Sequence, residues 1–178
     1  MNIVITGGNG FLGSKLAERF ILKGHNVLCL DINPKSFKYR KNILKKTNFI
    51  KADITSQKSL KKIKVRKNSI LLHCAGQPSA ALSFKNPEED CKKNINGMIN
   101  IIRFAKKNDI KKIIFASTFN VYKENNSSPK LSEKSVCQPK SLLSVSKLSA
   151  ENYLRVLSSH LNINWNILRM FNVYGPGQ

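Results

Sequence analysis

Thr6-Gly7-Gly8-Asn9-Gly10-Phe11-Leu12-Gly13 stands between a short β-branched run, from Ile3 to Thr6, and a stretch that carries Leu12, Leu16 and Phe20 on one stripe with Ala17 and Ile21 beside it. A glycine run placed between a strand and a helix is more than a flexible turn. Gly7 permits the tight bend, Gly10 lets backbone approach a pyrophosphate, and Gly13 lets the helix pack close to the strand while its first N–H groups face the anion. An ordinary glycine-rich turn is the competing reading. The helix is expected to stop at Lys23 and Gly24, a last-turn cation followed by a C-terminal glycine.

Working outward, Asn26 to Asp31 reads as a second strand that ends on an acid 18 residues after Gly13. That is close to the separation of about 20 at which a carboxylate meets an adenosine ribose hydroxyl. The same charge repels a 2′-phosphate, so Asp31 points to NAD rather than NADP, unless it only caps its own loop. Further strands are expected at Asn48 to Lys51, Ser69 to Cys74, Lys112 to Ser117 and Asn164 to Arg169, and further helices at Ser56 to Lys64, Glu88 to Lys107 and Leu142 to His160. Short apolar runs alternating with amphipathic stretches imply an α/β domain with a mostly parallel sheet covered on both faces and right-handed crossovers. The polar stretch Lys123 to Lys140, with Pro129 and Pro139, is expected to be a long surface loop.

The 178 residues fit one domain, residues 1–178. With 41% hydrophobic and 23% charged residues, and no apolar run of the roughly 18 residues a membrane span needs, the chain reads as a folded soluble protein. The start, Met1-Asn2-Ile3-Val4-Ile5, lacks a basic leader and a cleavage site, which predicts a cytoplasmic protein. Cys29, Cys74, Cys91 and Cys137 are scattered, without the spacing of a zinc site or a disulfide framework, and no metal is expected. The net charge of +21 permits nucleic-acid binding. No recognition motif accompanies it, and 25 of the 31 cations are lysines in a chain rich in Asn and Ile, so the charge is read as a general field.

The glycine spacing resembles that of the short-chain dehydrogenase/reductases, and later segments resemble their extended branch, the NAD-dependent epimerase/dehydratase family. Lys51-Ala52-Asp53-Ile54 is similar to the family segment that meets the adenine, and Leu72-His73-Cys74-Ala75-Gly76 to the strand end that lines the cofactor. Asn94-Ile95-Asn96-Gly97 resembles the helix that braces the central strands. Ile114 to Tyr122 resembles the catalytic-serine strand, with Thr118 at the catalytic Ser/Thr position. Leu168-Arg169-Met170-Phe171-Asn172-Val173-Tyr174-Gly175-Pro176-Gly177-Gln178 is similar to the signature at the end of the sixth strand. The resemblance implies a Rossmann-type doubly wound sheet of strand order 3-2-1-4-5-6. It also implies NAD held by Gly7, Gly10, Phe11, Leu12, Gly13, Asp31, Asp53, Ile54, Ala75 and Lys147, a nucleoside-diphosphate sugar as partner, isomerase chemistry by hydride transfer at a sugar carbon, and a homodimer.

The family's reaction needs a Tyr four residues before a Lys on one helix face, because the ammonium lowers the phenol's pKa from about 10 and lets it exchange a proton with the substrate hydroxyl. Ser146-Lys147-Leu148-Ser149-Ala150-Glu151 reproduces the Lys end of this motif, but Leu143 occupies the Tyr position. No other register restores the pair: Tyr39, Tyr122, Tyr153 and Tyr174 are followed four positions later by Ile43, Asn126, Leu157 and Gln178. Phe119 and Asn120 stand where sugar dehydratases of the family carry an Asp-Glu pair. The chain also stops where the family's smaller C-terminal substrate lobe would begin. The expectation is therefore a cofactor domain whose turnover fails at Leu143, with a non-catalytic dinucleotide-binding or oligomeric scaffold as the alternative.

Overall fold

The computed structural model describes residues 1–33, 48–123 and 130–178. Six strands, β1 (Asn2–Thr6), β2 (Asn26–Asp31), β3 (Asn48–Lys51), β4 (Ser69–His73), β5 (Lys112–Thr118) and β6 (Asn164–Met170), form one sheet in the order β3-β2-β1-β4-β5-β6. Every pairing is parallel, with register such as Val4 against Leu28 and Leu71, and Phe115 against Ile167. The order reverses between β1 and β4, and at such a reversal a crevice opens at the carboxyl ends of the strands.

Alternation along each strand divides the apolar residues between two faces. Ile3, Ile5, Val27, Cys29 and Leu72 face α1 (Phe11–Leu22), which contributes Leu16, Ala17, Phe20 and Ile21. Val4, Leu30, Leu71, Ile113 and Phe115 turn the other way onto Met98, Ile101, Ile102 and Leu154. These come from α5 (Gly97–Lys107) and α6 (Leu142–His160). Helix α6 runs over the residues expected of it, opened by the Ser141 hydroxyl, which accepts from the N–H of Ser144 at 3.2 Å.

Three elements differ from expectation. The helix expected from Ser56 to Lys64 is the short α2 (Gln57–Lys61), with Ser56 as its cap. A helix not expected at all, α3 (Ala80–Lys85), is capped by Ser79 and leaves Leu82 and Phe84 exposed, so it lacked an apolar stripe to betray it. The single helix expected from Glu88 to Lys107 is instead α4 (Pro87–Cys91), a π-helical turn over Lys92–Asn96, and α5. The wide turn swings Asn94 inward and lets Gly97 sit under Ile54, whose Cδ1 would lie 2.7 Å from a Cβ at that position. Of the expected loop Lys123 to Lys140, residues 124–129 lie outside the described residues. The remainder folds back on itself, with Lys123 N–H donating to Val136 O at 2.8 Å.

Strand β6 lies at the edge of the sheet. Beyond it, Phe171 is 63% and Tyr174 86% exposed, and a cleft of about 500 Å³ runs along its side chains between Trp165 and Phe171. No helix among the described residues is long and apolar enough to cross a membrane.

Ile113, fully buried in central strand β5, tests how far the α5–α6 face holds the fold. Ile113→Ala is expected to lower the unfolding free energy by about 2–5 kcal/mol, read as an earlier midpoint in urea.

Candidate functional site

The glycine loop is built by contact of backbone with backbone. Gly7 has φ of +70°, and a Cβ there would lie 2.7 Å from the Ala75 nitrogen. At Gly13 a Cβ would fall 2.1 Å from the Gly7 carbonyl oxygen, so only glycine lets α1 begin against the loop. Gly10 is different: its Cβ would meet only that same oxygen, at 3.2 Å, and its other side is open. No side chain caps the N-terminus of α1 and no acid lies in its first turn, which leaves the helix start to an anion. Beneath the loop, the Cys29 thiol is buried against Gly8, and burial pushes it up to about 12.

Asp31 ends β2 beside this loop. Its Oδ2 accepts from the Asn9 N–H at 2.9 Å and its Oδ1 from the Asn33 N–H at 3.1 Å. The carboxylate therefore locks the loop and is itself held in one orientation. Asp53, one strand further out, accepts at Oδ1 from both the N–H and the hydroxyl of Thr55, each at 2.8 Å, while the Ile54 carbonyl accepts from Asn100 Nδ2 at 2.9 Å. Ala75 donates its N–H to the Thr6 hydroxyl at 3.3 Å, joining the ends of β1 and β4. Phe11 reaches across to the C-terminal signature, where a Cβ at Gly175 would lie 3.9 Å from its ring. Leu12 follows it in the first turn of α1.

Thr118 ends β5 and uses its hydroxyl oxygen to accept from the Asn120 N–H at 3.2 Å, leaving its proton available to a ligand. Lys147 is half-buried; its Nζ donates to the Ala116 carbonyl at 3.1 Å and lies 4.9 Å from the centre of the Phe115 ring. Burial pulls its pKa down to about 8, against the opposing pull of Cys74, Asp90 and Glu151. Leu143 is 8% exposed, and its N–H donates to the Ser83 hydroxyl at 3.0 Å. It packs into the structure as an apolar side chain with nothing to ionise. Tyr122 offers no substitute, being buried with Arg169 stacked 4.6 Å above its ring.

Three polar groups of this region were not singled out by the sequence. His73, buried at the end of β4, shares a 2.7 Å hydrogen bond with the Thr6 hydroxyl, and burial, aided by Lys147, pushes its pKa down to about 3. Glu151 is wholly buried, yet it accepts from the Ser117 hydroxyl at 2.6 Å, from Arg169 at 2.7 Å and from Arg155 at 3.0 Å. It ties α6 to β5 and β6 just below Thr118. Asp90, also buried, joins Gln77 and Asn94. The sequence signal for Glu151 was its place four residues after Lys147, on the same helix face. His73 and Asp90 carried no such signal.

Two outcomes follow. Gly13→Ala is expected to destabilise the protein by about 1–3 kcal/mol, and Gly10→Ala by less, when the two are compared by denaturant melts. His73 is neutral in the fold but ionises near pH 6.5 when unfolded. Its contribution to stability is therefore intact above that pH and is lost as pH falls towards about 3, at a slope of about 1.4 kcal/mol per pH unit. His73→Phe should flatten that part of the stability–pH curve.

The sequence model of the NAD dependent epimerase/dehydratase family matches residues 3–178. A provisionally named UDP-glucose 4-epimerase of Methanocaldococcus jannaschii is 36% identical over 177 residues, covering 99% of this chain and 57% of its own length. Protein CapI of Staphylococcus aureus is 34% identical, with 99% and 55% covered. Among solved structures, the UDP-glucose 4-epimerase of Thermus thermophilus in complex with NAD superposes with a TM-score of 0.89 at 29% identity, over all of this chain and 57% of that one. The Thermotoga maritima UDP-glucose 4-epimerase with UDP-glucose gives 0.86 at 30%, over 99% and 57%. The chain thus spans little more than half the length of the relatives it matches, and within that span the Rossmann-type sheet, the glycine loop and the family model agree: the chain belongs to the NAD-dependent epimerase/dehydratase family.

Proposed function

We propose that this chain is the NAD-binding unit of a nucleotide-sugar epimerase-like protein, and that without a phenol at Leu143 it does not complete the family's reaction. The observation that carries the reading is the backbone cradle at Gly7 and Gly13 with an uncapped helix start above it and Asp31 fixed alongside. The relatives solved with NAD and with UDP-glucose support the ligand classes.

In this reading Gly7, Gly10, Phe11, Leu12 and Gly13 receive the pyrophosphate, Asp31 the adenosine ribose, and Asp53, Ile54 and Ala75 the surfaces around the adenine and the nicotinamide arm. Lys147, as an ammonium, donates to the nicotinamide ribose, and Thr118 donates its hydroxyl proton to an oxygen of the sugar. Bound NAD supplies a hydride acceptor that can return the hydride to the opposite face of the sugar carbon. Removal of a hydride from a carbinol carbon must be matched by removal of the hydroxyl proton, and Leu143 cannot accept it. That same buried Leu143 favours a second reading, a dinucleotide-binding protein that does not turn over.

Saturable NADH binding, tighter than NADPH binding and abolished by Gly10→Val, is expected in fluorescence titration. Asp31→Ala should narrow the preference for NADH. No binding by the folded protein would refute the cofactor reading. Leu143→Tyr restores the Tyr/Lys pair and is expected to give NADH formation with a UDP-sugar; absence of any gain would trace the lost activity to the substrate cleft rather than to the phenol.

A further inference from the structure

Asp90 sits in the last turn of α4, 1% exposed. Its Oδ1 accepts from Asn94 Nδ2 at 3.0 Å and from Gln77 Nε2 at 3.3 Å, whereas its Oδ2, equally buried, has no hydrogen-bond partner. Asn94 extends the contact towards the site, because its Nδ2 also donates to Ser146 Oγ at 2.9 Å. An atom at the Cβ position of Gly76 would lie 2.6 Å from Asn94 Oδ1 and 3.5 Å from Lys147 Nζ. Asp90, Asn94 and Lys147 therefore converge beneath the end of β4.

The groups facing Lys147 can be sorted by charge. At the end of β4, His73 is neutral, since burial drives its pKa down to about 3, and Cys74, just beyond the strand, is a neutral thiol, since burial raises it to about 11. From β5 come only the Phe115 ring and the Ala116 carbonyl. On α6 itself, Glu151 is already engaged by Arg155 and Arg169. Among the described residues this leaves Asp90, on α4, as the anion near Lys147 with no cation of its own. A buried carboxylate with an unpaired oxygen is costly unless its charge serves a neighbour.

We propose that Asp90 is the counter-ion that keeps Lys147 in its ammonium form and so in its cofactor-binding state. The inference rests on the cofactor reading above for its consequence but not for its test. Asp90 touches neither cofactor nor substrate; it is a positioning residue acting through Lys147.

Lysine-selective ¹³C,¹⁵N labelling, with the Lys147 signal assigned by Lys147→Met, reads the titration of this amine directly. The wild-type midpoint is expected near 8. Asp90→Asn, which keeps an acceptor for Asn94 and Gln77, should lower it by about one pH unit, a tenfold change in proton affinity, and Asp90→Glu should restore it. Asp90→Ser, which removes the charge together with the amide bulk, should lower the Lys147 midpoint by a similar amount, and this arm does not require Asp90→Asn to fold. NADH affinity near pH 7.5 should fall severalfold in Asp90→Asn and should not fall further when that change is added to Lys147→Met. An unchanged Lys147 midpoint in folded Asp90→Asn, or an equal loss of NADH affinity in the Lys147→Met background, would overturn the proposal. A shifted midpoint in a protein that binds no NADH would support the pair and sink only the cofactor reading.

Discussion

Two glycines in van der Waals contact through their backbones set the geometry on which everything else depends. Because Gly13 can rest against the carbonyl of Gly7, α1 starts directly above the end of β1, and the first turn of the helix faces the crevice where the sheet reverses its order. Any side chain there would push the helix away from the sheet, taking Ala17 and Phe20 from the face they cover. The turn of the glycine loop and the packing of one core face are thus the same contact.

On the opposite face the constraint is electrostatic. Helix α6 brings Lys147 and Glu151 under the ends of β4, β5 and β6, one beneath the crevice and the other beneath the strand that carries Thr118. Burying ions is expensive unless each finds partners. Glu151 finds two arginines and a serine; Lys147 finds a carbonyl, an aromatic face and the field of Asp90. The helix is consequently held at a fixed height over the sheet by charges that cannot move without being stranded.

Most of the fold was legible because its signals are periodic. The β-branched runs marked all six strands to within a residue, and α6, long and amphipathic, was read at its full extent. What was not legible depended on contacts far apart in the chain. The interruption of the helix at Lys92–Asn96 follows from Asn94 finding Gln77 and Ser146 across the fold, and no local pattern reports that. Helix α3 is too short to show a period. Within the site, the glycine loop and Asp31 were read from spacing and Lys147 from the resemblance of its segment to the family motif, whereas the burial that makes His73 neutral and leaves an Asp90 oxygen unpaired exists only once the elements are assembled.

Cys29 has a consequence for how the loop can be observed. Its sulfur lies under Gly8, out of reach of solvent, and a thiol so reluctant to ionise does not react where it sits. Alkylation at this position can proceed only through molecules in which β2 and the loop have parted, so the rate of its modification counts those openings. Beside Cys91, which lies exposed on the native surface, this thiol is a built-in clock for the breathing of the glycine loop.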